Sequence, residues 1–115
     1  MSLNPSAQQE IVARMMSWGN VEPRRMFGCD AYLVGGKLFA FFQDQGLVVK
    51  VPSPQRKELL KDPRVAPFAH KGVRFGQWLH LRLSAPDDVA LALPAVEESY
   101  RYVQAAAAQG KRRRR

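Results

Sequence analysis

Apolar residues recur at helical spacing near the start of the chain. Ile11 and Met15 lie four residues apart and therefore share one helical face. Asn4 suits the position before the first helical residue, and the proline that follows it suits the first turn. The pattern predicts a first helix over residues 5–18, ended by the Gly-Asn pair that follows.

The middle of the chain changes to the shorter period of β-strands. A stretch of alternating and apolar residues between 23 and 34 meets Gly35-Gly36, which marks a tight hairpin turn. Three further strands are predicted over residues 37–42, 47–51 and 78–83. The strands that precede residue 51 are joined by short turns, which predicts that they pair antiparallel. Residues 62–76 contain two prolines and two glycines and are predicted to form an irregular loop.

Helical spacing returns at the C-terminal end. Val96, Tyr100 and Val103 recur at four and three residues, which predicts a helix over residues 94–109 with Gly110 as its end. A helical turn is expected just before it, over residues 85–91, and a short helix over residues 55–61 ends before an Asp-Pro pair. Because the strands are grouped rather than alternating with helices, we expect a two-layer α+β domain. Its antiparallel sheet should carry the N- and C-terminal helices on one side.

The charge of the chain is concentrated at one end. The sequence has 115 residues and a net charge of +8. Five of its eighteen basic residues form the run Lys111 to Arg115, which leaves thirteen basic against ten acidic residues over positions 1–110. The folded part is therefore only mildly basic, at +3. This composition predicts one domain over residues 1–110 and a disordered basic tail over residues 111–115.

Several classes of site and location are disfavoured by the sequence. Cys29 is the one cysteine, so an intrachain disulfide is impossible, and no cysteine–histidine cluster with zinc-ligand spacing occurs. We expect no cofactor and no metal. No apolar run approaches the roughly 20 residues of a membrane span, and no signal-peptide pattern occurs, so the expected location is the cytoplasm.

Five segments, taken in order, resemble the TfoX N-terminal domain family. They are Arg24 to Gly28 (Arg-Arg-Met-Phe-Gly), Gly36 to Ala40 (Gly-Lys-Leu-Phe-Ala), Leu47 to Val51, Pro67-Phe68 and Pro86 to Asp88. The resemblance spans roughly residues 5–108. It implies that family's α+β fold and a role like that of its members, bacterial regulators of natural competence, for which no catalytic residues are established.

The chain also departs from the family pattern. Cys29 stands where the family usually has a second glycine, and Trp78 to Leu81 stands where a pair of tyrosines is common. Members often have a second, C-terminal domain, for which this chain is expected to have no room. The fold is therefore expected to carry over more securely than the role.

Two groups of basic residues are candidate contacts for a polyanion. Arg24 and Arg25 could bind phosphate or a partner's carboxylate through their forked guanidinium groups. As strand neighbours they should instead point to opposite faces, which prevents them from acting as one clamp. The tail residues Lys111, Arg112, Arg113, Arg114 and Arg115 would attract nucleic acid without sequence preference, or would be a solvated end.

The run from Leu38 to Phe42 is apolar on both faces of its predicted strand. A two-layer sheet is expected to have one wet face, so the run suggests an additional covering element or a partner. We take Phe39, Phe41 and Phe42 as a possible interface, formed with a protein partner or with a second copy in a homodimer. A central strand covered by the chain itself and a small-molecule pocket are the alternatives.

The reactive residue types form no convincing catalytic group. His70 and His80 match no ligand spacing for a metal, and a catalytic Cys29 would need a base and an orienting group brought beside it, which its neighbour Asp30 does not indicate. Our first hypothesis is a non-catalytic regulatory module that binds protein. The second is a nucleic-acid accessory protein that uses the basic tail, and the third is an enzyme with an unrecognised site.

Overall fold

The computed structural model describes residues 4–26, 28–43, 45–70 and 72–113. These residues form an α+β domain, as predicted, with a larger sheet than the sequence indicated. In chain order the elements are α1 (Pro5–Met16), β1 (Val21–Met26), β2 (Cys29–Val34), β3 (Lys37–Gln43), β4 (Gly46–Lys50), α2 (Ser53–Leu59), β5 (Val65–His70), β6 (Val73–Arg82) and α3 (Asp88–Arg113).

The six strands form one sheet in the order β1-β2-β3-β4-β6-β5, and each neighbouring pair is antiparallel. The core lies between one face of this sheet and the helices α1 and α3. From α1 it contains Ile11 and Met15, and from α3 it contains Val96 and Val103. The prediction that the two long helices pack on the same side of one antiparallel sheet is confirmed.

The N-terminus of α1 is built as the sequence predicted. The side-chain oxygen of Asn4 accepts a hydrogen bond from the main-chain N–H of Ala7 at 3.0 Å, and Pro5 occupies the first turn. Asn4 also donates its own N–H to the main-chain oxygen of Leu83, at 2.7 Å. The helix is thus capped at the point where it meets the end of β6.

The prediction of an irregular loop over residues 62–76 is wrong. Strand β5 occupies much of this segment, and β6 begins at Val73 rather than near Trp78. Strands β5 and β6 form a hairpin, and the prolines and glycines that suggested a loop occupy positions that a hairpin can accommodate. Pro67 lies in β5, an edge strand, where a missing N–H need not interrupt the sheet, and Gly72 has a φ of 79° in the turn.

Two expected helix boundaries near the C-terminus are also wrong. The turn over residues 85–91 and the helix over residues 94–109 are one continuous helix, α3, that begins at Asp88 and contains Pro94. Pro94 and Ala90, four residues earlier, are both exposed, so the main-chain oxygen left without a helical partner can be hydrated. Helix α3 also continues past Gly110 to Arg113, and so includes the first three residues of the predicted tail.

An extra residue in β3 changes which side chains face the helices. Tyr32 of β2 pairs with Ala40, but Leu33, the next residue, pairs with Leu38. Phe39 is therefore the additional residue of a β-bulge. The bulge allows Phe39 and Ala40, which are adjacent in sequence, to lie in the same helix-covered core.

The bulge places Phe39 in the core, and the regular alternation beyond it places Phe42 there as well. Phe39 and Phe42 are buried in the core beneath the helices, so neither side chain is available to a partner. Phe39 contacts the rings of Trp18 and Tyr100, whereas Phe42 contacts that of Tyr32. Among the three phenylalanines proposed as an interface, Phe41 alone lies on the opposite face.

Candidate functional site

The sheet face opposite the helices carries three aromatic side chains in mutual contact. The ring centroid of Phe41 lies 5.5 Å from that of Phe68 and 5.7 Å from that of Trp78. Phe41 and Trp78 are half-buried, and Phe68 is buried. None of the three belongs to the core beneath the helices. We call the sheet face that carries Phe41, Phe68 and Trp78 the open face.

The sheet curls toward the open face. Strands β4 and β6 lie between β3 and β5, so Phe41 and Phe68 belong to strands three steps apart, or roughly 14 Å in a flat sheet. Their ring centroids are nevertheless 5.5 Å apart. Curvature and the lean of the two rings close this distance, and Val48 between them is 0% exposed although it points away from the helices. The open face is therefore concave around its aromatic cluster.

Basic side chains flank the aromatic cluster. Lys50 pairs with Trp78 across β4 and β6, so the two side chains lie next to each other on the open face. Arg82 lies on the same face at the end of β6 and is exposed. Among the described residues of this face, the acidic one is Glu22, and Arg24 forms an ion pair with its carboxylate. The charge balance of the described open face is therefore positive.

His80 is packed within the open face rather than projecting from it. Its Nε2 lies 3.1 Å from the main-chain oxygen of Gln43, and because a carbonyl oxygen only accepts, Nε2 is the protonated nitrogen. A side-chain carbon on Gly46 would lie 2.5 Å from this Nε2. The sequence correctly placed His80 on one face with Trp78 and Arg82. No group of three potential metal ligands occurs among the described residues.

A shallow depression of about 240 Å³ lies beside the aromatic cluster. It is lined by Ala66, Pro67, Phe68 and Ala69 of the edge strand β5 and by His80. Its walls are mainly small and apolar, and it is open to solvent. It is smaller and more open than the cavities that typically enclose a small-molecule ligand.

The structure separates Arg24 from Arg25. Their partners in β2 are Ala31 and Asp30, which are adjacent residues of that strand, so the two arginines lie on opposite faces of the sheet. Arg25 forms an ion pair with Asp30 at 2.9 Å, whereas Arg24 pairs with Glu22. Each guanidinium thus has its own carboxylate, and the two do not form one anion-binding clamp.

The residues of the predicted basic tail lie partly in α3 and partly outside the described residues. Lys111, Arg112 and Arg113 continue α3, and Arg114 and Arg115 lie outside the described residues. Cys29 is half-buried on the open face, with its thiol sulfur 3.8 Å from the side-chain oxygen of Gln43.

An ion-pair network that the sequence did not reveal joins the turn before β5 to the start of α3. Arg64 bonds Asp62 through two side-chain hydrogen bonds, at 2.8 and 3.0 Å, and reaches Asp88 at 3.0 Å. Asp88 is 3% exposed and accepts the main-chain N–H groups of Ser84 and Ala85, both at 3.0 Å. Asp88 lies 24 residues from Arg64, so local pattern carried no signal for their pairing.

The network changes the acidity of its members. Hydrogen bonds from the Arg64 side chain and main chain lower the pKa of Asp62 to about 2. For Asp88, burial acts to raise the pKa, but hydrogen bonds from Arg64, Ala85 and Ser84 outweigh it and the net shift is downward. Both carboxylates are therefore held in the charged form, which is typical of structural ion pairs.

Comparison with known proteins identifies a family for this chain. The sequence model of the TfoX N-terminal domain matches residues 13–103. No curated protein and no solved structure matched the chain. Within the described residues, no helix is both long enough and apolar enough to cross a membrane.

Proposed function

We propose that this chain, which belongs to the TfoX N-terminal domain family, is a non-catalytic regulatory module that acts by binding another protein. Its resemblance to regulators of natural competence suggests a regulatory role of that kind, in the cytoplasm. The family has no established catalytic residues, and the most prominent feature of the described surface is the aromatic open face, which supports a binding role. The partner is proposed to dock on the open face.

The aromatic cluster of Phe41, Phe68 and Trp78 is the observation that carries this proposal. Isolated apolar residues on a protein surface are ordinary, but contiguous aromatic residues on a concave face are typical of binding sites. The helices cover the other face of the sheet and leave this one uncovered by any described helix. Half-buried aromatic side chains lose their remaining exposed surface when a partner covers them, which favours association.

Site-specific cross-linking in the native host tests the proposed surface. The photoreactive residue p-benzoylphenylalanine is introduced at Ala66, which is exposed on the open face, or at Ala13, which is exposed on α1. We expect a protein cross-link from Ala66 that disappears when Trp78→Ser is added, and none of the same product from Ala13. Circular dichroism checks that each variant is folded. A product that survives Trp78→Ser, or that forms equally from Ala13, would contradict docking on the open face.

A second candidate function is supported by the end of α3. This helix continues six residues beyond Ala107, its last described buried residue, which corresponds to about 9 Å of helix. The added length contains Lys111, Arg112 and Arg113. A basic helix end of this kind would favour contact with the phosphates of nucleic acid, through a surface separate from the open face.

A further inference from the structure

We propose that the partner of the open face is a short acidic protein segment, in which a large apolar side chain is flanked by aspartate or glutamate. This inference rests on the proposed function and adds the chemistry of the partner. The apolar side chain would contact the cluster of Phe41, Phe68 and Trp78. The neighbouring carboxylate would pair with Lys50.

The basic residues of the open face favour a partner that carries negative charge. Lys50 lies beside Trp78 and forms no ion pair with any described residue, while Arg24 is neutralised by Glu22. Arg82 acts electrostatically on Asp62, but both oxygens of that carboxylate already accept hydrogen bonds from Arg64. Lys50 and Arg82 can therefore each accept an acidic partner without breaking an ion pair among the described residues.

The same charges disfavour a second copy of this chain on the open face. A two-fold interface brings the same surface patch of two copies together. Such a contact would bring together two copies of a face whose described charges are net positive, through Lys50 and Arg82. Like charges brought together at an interface are destabilising, so we expect a different protein as the partner.

The two edges of the sheet are poor alternatives to its open face. Strand β1 contains Pro23 and strand β5 contains Pro67, and these two strands form the edges. A proline cannot donate a main-chain hydrogen bond, so it interrupts the row of donors that an added strand needs. We therefore expect the partner segment to lie across the face and to be recognised through its side chains.

Tryptophan fluorescence can measure peptide binding at the open face directly. The chain has two tryptophans, and Trp18 packs beneath the helices against Phe39 and Tyr100. In full-length Trp18→Phe protein, Trp78 is the single tryptophan and reports on the open face. The probes are four: a ten-residue peptide that alternates glutamate with leucine and phenylalanine, a lysine version, a version with serine at the apolar positions, and a twelve-nucleotide oligodeoxythymidine.

We expect the glutamate peptide to shift the Trp78 emission and to bind about tenfold more tightly than the lysine or serine versions at low salt. Lys50→Glu should remove this preference, and Arg82→Glu should weaken it. The matched control is Lys57→Glu, an exposed charge reversal on α2, which should leave binding unchanged. Thermal melts confirm that the variants are folded.

The possible failures are distinguishable. If the lysine peptide binds as tightly as the glutamate peptide, the acidic partner is wrong while protein binding at the open face survives. If no peptide changes the Trp78 emission, the open face is not the docking surface and the proposed function fails there. If the oligonucleotide binds more tightly than every peptide, the face binds single-stranded nucleic acid instead.

Discussion

The hydroxyl group of Ser99 donates a hydrogen bond to the main-chain oxygen of Phe39 at a distance of 2.6 Å. The same hydroxyl oxygen accepts the main-chain N–H of Lys50 at 3.0 Å. The regular pairing of β3 with β4 ends at Ala40 and Val49, so these two main-chain groups lie beyond the ladder, next to the bulge. One buried side chain of α3 therefore satisfies both polar groups.

Ser99→Ala is expected to destabilise the domain by about 1–3 kcal/mol, because it leaves a buried main-chain carbonyl and N–H without their partner. Urea unfolding followed by circular dichroism measures the change. The control is Ser17→Ala, which removes an exposed hydroxyl that bonds Arg14 and should cost little. Equal, small losses for the two variants would show that water replaces Ser99 without penalty.

The network of Arg64, Asp62 and Asp88 predicts how stability depends on pH. The folded-state pKa of Asp62 is about 2, below its ordinary value of 3.8, and that of Asp88 is also lowered. A lowered folded pKa adds stability that is complete above the unfolded pKa and is lost as the pH falls toward the folded pKa. We therefore expect the free energy of unfolding to decrease between about pH 4 and pH 2.

A variant separates this network from general acid denaturation. Arg64→Met should lower the stability at pH 7 and reduce the loss between about pH 4 and pH 2, since the pKa depression of the two carboxylates depends on Arg64. The control is Arg101→Met, which removes the exposed ion pair with Glu97. This variant should lose as much stability between about pH 4 and pH 2 as the wild type does. A pH profile unchanged by Arg64→Met would place the acid-sensitive groups elsewhere.

Position 46 requires glycine because strand β6 packs too close to it to leave room for a side chain. A side-chain carbon at this position would lie 2.3 Å from the main-chain oxygen of Leu81 and 2.5 Å from Nε2 of His80. Gly46→Ala should therefore destabilise the domain by about 2 kcal/mol or more, since the backbone of β6 must move. Gly76→Ala is the matched control, because a side-chain carbon there meets no atom within 4 Å. If thermal melts show the same change in melting temperature for both variants, the β4–β6 contact relaxes around the added carbon without a loss of stability.

Removal of residues 111–115 tests the basic end of the chain. Five basic residues can neutralise up to about five phosphates, so binding to DNA or RNA should be weak, insensitive to sequence and lost as salt approaches physiological strength. We expect the deletion to abolish most of this binding and to leave the melting temperature unchanged. A salt titration with a labelled oligonucleotide compares the two chains. Equal binding by the truncated chain would place the contact on the folded surface.

The candidate site shows where local pattern stops being informative. The sequence indicated that the run from Leu38 to Phe42 was apolar on both faces, which is correct, since Leu38 and Phe41 face away from the helices. Strict alternation could not show that Phe39 and Ala40 share the helix-covered core. That assignment depends on the pairing of β3 with β2, and a bulge shifts the alternation without changing the composition.

Local sequence determined the elements whose stabilising contacts are themselves local. The cap at Asn4, the helical spacing of α1 and the hairpin turn at Gly35-Gly36 all involve residues within a few positions of one another. The antiparallel arrangement followed from the short connections, and the ordered family-like segments indicated the family.

Tertiary structure decided the features that depend on residues far apart in the chain. Ser99 is 60 residues from Phe39, and Arg64 is 24 residues from Asp88. Pro67 is tolerated because β5 lies at an edge, and edge position is a property of the whole sheet. The open face exists because all the core-forming helices pack on one side, which leaves Phe41, Phe68 and Trp78 to meet across a curled sheet. Such contacts arise from the three-dimensional arrangement of segments, and periodicity along the chain does not encode them.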